Sequence, residues 1–197
     1  MNAIQNNINE IPVILFNRQK DWADWLNINH AISAGLWLRL AKKTASLESV
    51  SYQEALEVAL CYGWIDGQKK SCDESSWLQK FTPRGVRSLW SKINREKAET
   101  LIENGQMQPS GLLAIESARK TGRWDAAYAS QREATVPLEF QICLNANAQA
   151  KAFFDTLDSR NRYAILFRIQ TAKKAETRAR RIEQFIKMLE KHEKVYP

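Results

Sequence analysis

Aromatic and polar side chains interleave most densely between residues 62 and 94. Trp64 and Asp66 alternate in the first part of this segment, and Trp77 and Gln79 alternate in a later part. Burying a polar side chain without a partner costs free energy, so a segment that only filled a core would be aliphatic. Small-molecule sites usually combine aromatic walls with a few convergent polar groups. The sequence therefore predicts a binding cleft lined by Trp64, Asp66, Gln68, Trp77, Gln79, Phe81, Arg84, Trp90 and Asn94. The alternative is that these residues only hold a hairpin against its helices.

Asp66 and Arg84 are the side chains of this segment that could catalyse a reaction, with Asp66 as a general base if the tryptophans desolvate it. The commoner role of an aspartate before a glycine is to accept hydrogen bonds from turn amides. With only His30 and His192, and without paired Cys or His at metal-ligand spacing, the chain is expected to have no metal site. It also has no Gly-x-Gly-x-x-Gly or Walker loop, so no nucleotide cofactor is expected. We therefore favour a non-catalytic binding protein and keep an enzyme acting through Asp66 and Arg84 as an alternative.

The elements that must position these residues can be predicted from periodicity. Period-2 alternation over 64–70 and 77–81 predicts an antiparallel hairpin, and alternating leucines predict a strand over Leu36–Ala41. A helix is expected over 18–29, and another begins at the capping box of Ser51 and Glu54. Two more helices are expected, one ending before Gly105 and one capped by Ser110. These elements predict an α+β fold with a small antiparallel sheet in the N-terminal two-thirds of the chain.

The last third of the chain is predicted to be helical. Pro137 suits a helix start, and helices are expected over 147–157, 159–170 and 173–193. Weak periodicity over 125–136 marks the boundary. The sequence thus predicts an α+β domain over residues 1–130 and a helical region over residues 131–197, packed onto the first so that both share one core.

The net charge of +7 is confined to the C-terminal end. Residues 1–159 hold 18 basic and 18 acidic side chains, whereas residues 160–197 hold 11 and 4. On the last predicted helix the basic residues gather opposite the apolar ones. Binding of nucleic acid or another anionic partner through the basic C-terminal helices is therefore a further alternative, although a solvated surface is the commoner explanation of such a face.

Arg178 is the exception to this separation, because it falls within the apolar stripe of that helix beside Ile182. A guanidinium is not left unpaired in a core. The sequence predicts a buried, structural Arg178 that meets a carboxylate or a run of backbone carbonyls, with Asp155 or Asp158 as candidate partners. Contact with a ligand is the alternative.

The composition describes an ordinary soluble globular protein. It is 44% hydrophobic and 26% charged, and no apolar run approaches the length of a membrane span. Residues 1–10 lack the basic start of a signal peptide, and an odd number of cysteines argues against a disulfide framework. We expect a cytoplasmic protein with a small molecule or peptide as its ligand, and the sequence leaves its oligomeric state open.

Five short motifs occur in one order along the chain. They are Trp-Ile-Asp-Gly-Gln at 64–68, Phe-Thr-Pro-Arg at 81–84, Trp-Ser-Lys-Ile-Asn at 90–94, Gly-Arg-Trp-Asp-Ala-Ala-Tyr at 122–128 and Ala-Lys-Lys-Ala-Glu-Thr-Arg-Ala-Arg-Arg-Ile at 172–182. Together they resemble the bacterial YdeI/OmpD-associated protein family, over nearly the whole chain from about Trp22. The resemblance is most specific in the last motif, at Lys173, Glu176, Thr177, Arg178, Arg181 and Ile182. It implies a role in bacteriocin protection or stress tolerance, including tolerance of cationic antimicrobial peptides, and it assigns no catalytic residue.

Overall fold

The computed structural model describes residues 11–197, which form four strands and eight helices. The strands are β1 (Val13–Ile14), β2 (Leu36–Ala41), β3 (Trp64–Ser71) and β4 (Ser76–Pro83). The helices are α1 (Gln19–Asn29), α2 (Tyr52–Cys61), α3 (Lys92–Glu103), α4 (Pro109–Lys120), α5 (Leu138–Asn145), α6 (Ala148–Thr156), α7 (Ser159–Gln170) and α8 (Ala175–Glu190). The fold is α+β with helices in its last third, as predicted.

The described residues divide into two compact units. The first holds those up to Leu89 together with Asn94–Asp125, and it contains the sheet. The second holds Trp90–Ile93 and Ala126–Pro197, and it contains α5 to α8.

The sheet of the first unit has the strand order β1-β2-β4-β3 and is mixed. The predicted hairpin is confirmed, because β3 pairs antiparallel with β4, and β4 pairs antiparallel with β2. The prediction of a purely antiparallel sheet is wrong at one edge, where β1 runs parallel to β2 with Val13 opposite Trp37. The physical reason is the connection: α1 lies between the two strands, and a crossover through a helix returns the chain in the same direction, which a tight turn cannot do.

Aromatic rings from α1 and the sheet form the centre of the first unit. Trp22 and Leu26 lie four residues apart on α1 and are both buried, as their helical spacing predicted. The Trp22 ring centroid lies 5.8 Å from that of Phe81 and 6.1 Å from that of Trp64. Its indole N–H donates to the carbonyl of Ala55 at 3.1 Å, so the polar edge of this buried ring is satisfied.

Helix α2 has the start and the end that the sequence predicts. The hydroxyl of Ser51 accepts from the backbone N–H of Glu54, and the Glu54 carboxylate accepts from the Ser51 N–H at 2.9 Å. Gly63 has a φ of 73°, in the left-handed region that glycine adopts without strain. This turn leads the chain directly from α2 into β3.

The start of α4 differs from the prediction. Pro109 is its first residue and Gln108 its N-cap, so Ser110 does not cap the helix. Proline lacks an N–H and has a helical φ, which suits the first turn. Gly111 follows, and a Cβ there would lie 2.2 Å from the carbonyl oxygen of Cys61, so α4 approaches α2 this closely only because the residue is glycine.

The core of the second unit receives side chains from all four of its helices. Phe140 of α5, Phe154 of α6, Ile165 of α7 and Leu189 of α8 are buried together. The rings of Phe140 and Phe154 meet edge to face with centroids 5.5 Å apart. Each helix therefore presents one apolar stripe to a shared interior.

Asn161 joins the C-terminal segment to α7. Its side chain is buried, with a residue exposure of 1%. The amide donates to the carbonyl of Tyr196 at 3.3 Å, and the amide oxygen accepts from the Tyr196 N–H at 2.9 Å. A buried asparagine thus satisfies its own polar atoms by binding backbone.

Candidate functional site

The β3–β4 hairpin contains a β-bulge that changes which residues share a face. Asp66 pairs with Phe81 and Lys69 pairs with Gln79, so two residues of β3 oppose one of β4. Strict alternation predicts that Gln68 follows Asp66 on the same face. That prediction is wrong, because the extra residue puts Lys69 there instead and leaves Gln68 exposed.

Gln79 supports the bulge from inside. Its side-chain amide donates to the carbonyl of Gly67 at 2.9 Å and to that of Gln68 at 3.2 Å. Gln79 is only 4% exposed, and a bulge takes backbone groups out of the strand ladder. The amide therefore supplies a donor to carbonyls that the bulge takes out of the ladder.

A half-exposed cluster lies on the face that the bulge creates. The hydroxyl of Tyr52, the first residue of α2, donates to Oδ2 of Asp66 at 2.9 Å. The Tyr52 and Trp77 ring centroids are 6.0 Å apart. The ammonium of Lys69 lies 4.1 Å from the centroid of the Trp77 ring. This cluster of Tyr52, Asp66, Lys69 and Trp77, the rim cluster, brings together two of the nine predicted site residues and two that were not predicted.

The Asp66 carboxylate keeps capacity to bind a further group. In the part of the chain that the structure describes, Tyr52 supplies its only hydrogen bond. An ionised carboxylate has about four acceptor positions. The rim cluster can therefore offer a negatively charged acceptor next to an aromatic ring.

Trp64 and Phe81 lie in the aromatic core rather than at a surface. Both are almost completely buried, and the indole N–H of Trp64 donates to the carbonyl of His30 at 3.1 Å. Trp25 and Trp64 meet edge to face with centroids 5.8 Å apart. These two predicted cleft residues are positioned to hold α1 against the sheet.

Three more of the predicted cleft residues come later in the sequence than the rim cluster. Arg84 follows the end of β4, and its Nη1 donates to the carbonyl of Leu89 at 3.0 Å. Trp90 belongs to the second unit, where it is buried and its carbonyl accepts from the N–H of Tyr128 at 3.0 Å. Asn94 is half-buried near the start of α3.

The register separates Asp66 from Arg84. Asp66 pairs with Phe81, whereas the N–H of Arg84 donates to the carbonyl of Gly63 at 2.9 Å. Three residues of extended chain span about 10 Å. This ladder does not place the two side chains opposite each other.

The other face of the sheet carries a second tryptophan with lysines. The ammonium of Lys70 lies 4.4 Å and that of Lys80 lies 5.8 Å from the Trp37 ring centroid. Trp37 is 8% exposed, so little of its ring can reach a ligand. Arg39 on this face binds Asp73 at 2.7 Å.

A cleft of about 160 Å³ lies between α1, α2 and the chain between α3 and α4. Its lining includes Glu57, which pairs with Lys97 at 2.9 Å, and the buried Cys61. Burial raises the pKa of the Cys61 thiol to about 11, and the charge of Glu57 adds to the shift. A thiol with so high a pKa is a poor nucleophile at neutral pH.

Arg178 is not buried in the second unit. Its side chain is 38% exposed, and its Nη1 lies 3.6 Å from a carboxylate oxygen of Glu139 on α5. Its Nη2 donates to the carbonyl of Ala172 at 3.4 Å. Asp155 pairs within its own helix and Asp158 caps α7. The prediction is therefore wrong in the burial of Arg178 and in Asp155 or Asp158 as its partner, whereas the contact with a backbone carbonyl is present at Ala172.

The surroundings of the first turns of α8 explain why Arg178 has these partners. Arg181 donates to the carbonyl of Arg168 in the last turn of α7, close to the carbonyl of Ala172 that Arg178 binds. Carbonyls at a helix C-terminus have no partner within the helix, and cations are favourable there. Ala175 and Ala179, in the first turns of α8, are exposed, so the apolar stripe does not extend to the start of the helix.

Other cations of the second unit contact aromatic rings. The guanidinium of Arg160 lies 4.3 Å and that of Arg168 lies 5.7 Å from the Tyr196 ring centroid, and Arg162 lies 4.6 Å from that of Phe154. The outer basic face of α8 is exposed, as predicted; it consists of Lys173, Arg180, Lys187 and Lys191.

Within residues 11–197, no group of three or more His, Cys, Asp and Glu side chains is arranged to hold a metal ion. No helix in this part of the chain combines the length and apolar character needed to cross a membrane.

Sequence reasoning missed Tyr52 and Lys69 for different reasons. Tyr52 lies four residues before the buried Leu56, a spacing that suggests the buried side of α2, yet it is 38% exposed because it occupies the first turn. Lys69 was missed because of the bulge. The available signal was Gly67, since an isolated glycine within a strand pattern suggests a bulge.

Two family models match the chain. One, described as domain of unknown function (DUF8412), matches residues 14–114, and the other, described as Bacteriocin-protection, YdeI or OmpD-Associated, matches residues 133–192. The second match contains the motif at 172–182, whereas the motifs at 64–68, 81–84 and 90–94 lie within the first. The YdeI/OmpD-associated match is thus shorter than the resemblance predicted. No curated protein and no solved structure matches the chain.

Proposed function

We propose a binding function for this chain, which belongs to the family described as domain of unknown function (DUF8412) and carries a bacteriocin-protection, YdeI or OmpD-associated domain at residues 133–192. It acts as a non-catalytic binding protein in tolerance of bacteriocins or other antimicrobial stress. Its ligand is a small molecule or a peptide that binds at the rim cluster.

The observation that carries this proposal is the hydrogen bond of 2.9 Å between Tyr52 and Asp66, beside the half-exposed ring of Trp77. The bond holds the carboxylate at a defined place against an aromatic surface. Binding sites commonly orient ligands with a few such fixed polar groups. The bulge supplies further support, because bulges are frequent where a strand re-aims a side chain towards a site.

A binding role is favoured over catalysis by the arrangement of the reactive groups. Asp66 and Arg84 are three residues apart along the ladder, so the acid–base pair of the enzyme alternative is not supported. The raised pKa of Cys61 argues against a nucleophilic thiol in the cleft beside α2.

The nucleic-acid alternative receives less support than the rim cluster. Arg160, Arg162 and Arg168 contact aromatic rings of their own unit, and Arg178 and Arg181 bind carbonyls. Cations with such internal partners contribute less to phosphate binding. If this alternative were right, affinity for nucleic acid would fall steeply as salt rises.

A cytoplasmic location is part of the proposal. Cys61, Cys72 and Cys143 are free thiols, and Cys72 is exposed. Exposed thiols stay reduced in the cytosol and tend to oxidise in a periplasm. Fractionation of cells that express the chain tests this location.

Survival of cells challenged with a cationic antimicrobial peptide such as polymyxin B tests the function. We expect the wild-type chain to raise survival and both Asp66→Asn and Trp77→Leu to reduce that gain. Lys70→Met, on the opposite face of the sheet, is the matched control and should protect as the wild type does. Equal protection by all four chains, at equal folded amounts, would show that the rim cluster does not carry the function.

A further inference from the structure

We infer that the ligand of the rim cluster is a cation of the ammonium type, and that Lys69 of the same chain occupies the position of the ligand's charge until the ligand displaces it. This inference rests on the proposed function and names the ligand class of that same site.

The position of Lys69 is the first observation. Its ammonium lies 4.1 Å from the centroid of the Trp77 ring. Ammonium groups are attracted to the faces of aromatic rings within about 6 Å, and aromatic cages that bind quaternary ammonium ligands use this attraction. The Trp77 ring therefore already holds a positive charge, which is the group that an external cation would replace.

The strand register shows that this contact is a property of the hairpin. Lys69 pairs with Gln79 and Ser71 pairs with Trp77, so Lys69 and Trp77 are diagonal neighbours on one face. In a regular ladder Gln68 would pair with Gln79, and Lys70 would lie directly opposite Trp77. The bulge thus determines that Lys69, and not Lys70, lies beside Trp77.

The carboxylate is the second, independent observation. Tyr52 holds one oxygen of Asp66 at 2.9 Å, and the described residues supply no other hydrogen bond to this carboxylate. An ammonium ligand on the Trp77 ring would be attracted by this negative charge. An anionic ligand would be repelled by the same carboxylate.

The outer face of the sheet provides a matched comparison. The ammonium of Lys70 lies 4.4 Å from the Trp37 ring, a contact similar to that of Lys69 with Trp77. Trp37 is only 8% exposed, whereas Trp77 is half-buried. A ligand can therefore reach the Trp77 ring more readily than the Trp37 ring.

The experiment uses the full chain labelled with nitrogen-15 and follows the indole N–H signal of Trp77, assigned with Trp77→Phe. Choline is the probe, and 3,3-dimethyl-1-butanol, which has the same shape without the charge, is the control compound. We expect choline to shift the Trp77 signal in a saturable way and the uncharged analogue to bind at least several-fold more weakly.

Two variants test the roles of the charges. Lys69→Met removes the internal competitor but keeps an apolar stem, and it should tighten choline binding about two- to fivefold, the range expected for one exposed cation–π contact. Asp66→Asn should weaken choline binding by a similar or larger factor. Lys70→Met should leave the affinity unchanged.

Three results would overturn the inference. They are equal binding of choline and its uncharged analogue, no tightening in Lys69→Met when that variant folds normally, and no shift of the Trp77 signal by choline. None of these results would alter the survival assay, so loss of protection in Asp66→Asn and Trp77→Leu would still support a binding function with a ligand of another class. Equal protection by those variants would remove the proposed function itself.

Discussion

The side-chain amide of Gln79 lies 2.9 Å from the carbonyl oxygen of Gly67, across the bulge of the β3–β4 hairpin. This single bond links the interior of the sheet to the rim cluster, because the bulge it supports determines which residue of β3 lies beside Trp77. The backbone geometry of the bulge explains why a polar residue, Gln79, occupies a buried position of the sheet.

Replacing Gln79 with leucine tests that explanation. The carbonyls of Gly67 and Gln68 would lose their donor, and a hydrogen bond contributes about 0.5–1.5 kcal/mol net. We expect Gln79→Leu to lower the free energy of unfolding by about 1 kcal/mol in denaturant melts. Gln68→Ala, at an exposed neighbouring position, should change it by less than about 0.5 kcal/mol. Equal effects of the two substitutions would show that the amide does not stabilise the bulge.

A second prediction concerns acid stability. Hydrogen bonds from Ser76 and Ser75 lower the pKa of Asp73 well below its usual range. The folded state therefore favours the ionised carboxylate. Its contribution is fully present above the pKa of the unfolded chain, about 3.9, and is lost as the pH falls below that value towards the folded pKa.

Denaturant melts at pH 6 and pH 3 measure this contribution. The wild type should lose more stability between the two values than Asp73→Asn does, because the asparagine cannot titrate. Glu74→Gln, at the exposed next residue, should behave as the wild type. A parallel loss in wild type and Asp73→Asn would mean that Asp73 does not govern acid stability.

Periodicity predicted the elements of the sheet but not the details of the rim cluster. The alternation of β2, the helical spacing of Trp22 and Leu26 and the capping box of α2 are local patterns, and the structure contains all three. Trp64 and Trp77 look alike in the sequence, yet one is in the core and the other is half-exposed. Alternation assigns each residue of a strand to one of the two faces of the sheet. Which residues of that face are buried depends on where α1 packs against it.

Long-range partners explain the remaining differences. The helical period placed Arg178 within an apolar stripe, but the first turns of α8 meet the C-terminal end of α7 rather than an apolar surface. The parallel direction of the edge strand β1 could not be predicted from its residues, since it depends on the connection to β2.

Thiol chemistry gives a third prediction. Because burial raises the pKa of Cys61 to about 11, about one thiol in a thousand is ionised at pH 8. Cys72 is exposed in the β3–β4 turn. In a Cys143→Ser background, which removes the half-buried third thiol, Ellman's reagent at pH 8 should therefore show one fast thiol, which Cys72→Ser removes and Cys61→Ser leaves in place. A fast phase that Cys61→Ser abolishes would contradict the burial of this residue.

The fourth prediction concerns the C-terminal segment. Asn161→Ala would leave the backbone of Tyr196 without its partner and should cost about 2 kcal/mol in thermal or denaturant melts. A chain ending at Lys194 should lose a similar amount. Because both changes break the same contact, their combination should cost less than the sum of the two. Asn145→Ala, at an exposed position of α5, serves as the control, and strict additivity of the first two changes would argue against the contact.

The last prediction concerns three arginines of α8. Arg181 binds a carbonyl of the last turn of α7, and hydrogen bonds from charged donors contribute about 1.5–3 kcal/mol. Arg178 is 38% exposed and pairs with the exposed Glu139, so its removal should cost about 1 kcal/mol or less. Arg180 lies on the exposed basic face, where substitutions change stability by less than about 0.5 kcal/mol.

Denaturant melts of Arg178→Ala, Arg180→Ala and Arg181→Ala separate the possible roles. We expect the loss of stability to be largest for Arg181, smaller for Arg178 and smallest for Arg180. If Arg178 formed a buried ion pair, Arg178→Ala would leave a buried carboxylate without its partner. The free energy of unfolding would then fall by about 3–5 kcal/mol, more than in Arg181→Ala. A loss at Arg178 greater than that at Arg181 would therefore contradict the capping role of these arginines at the end of α7.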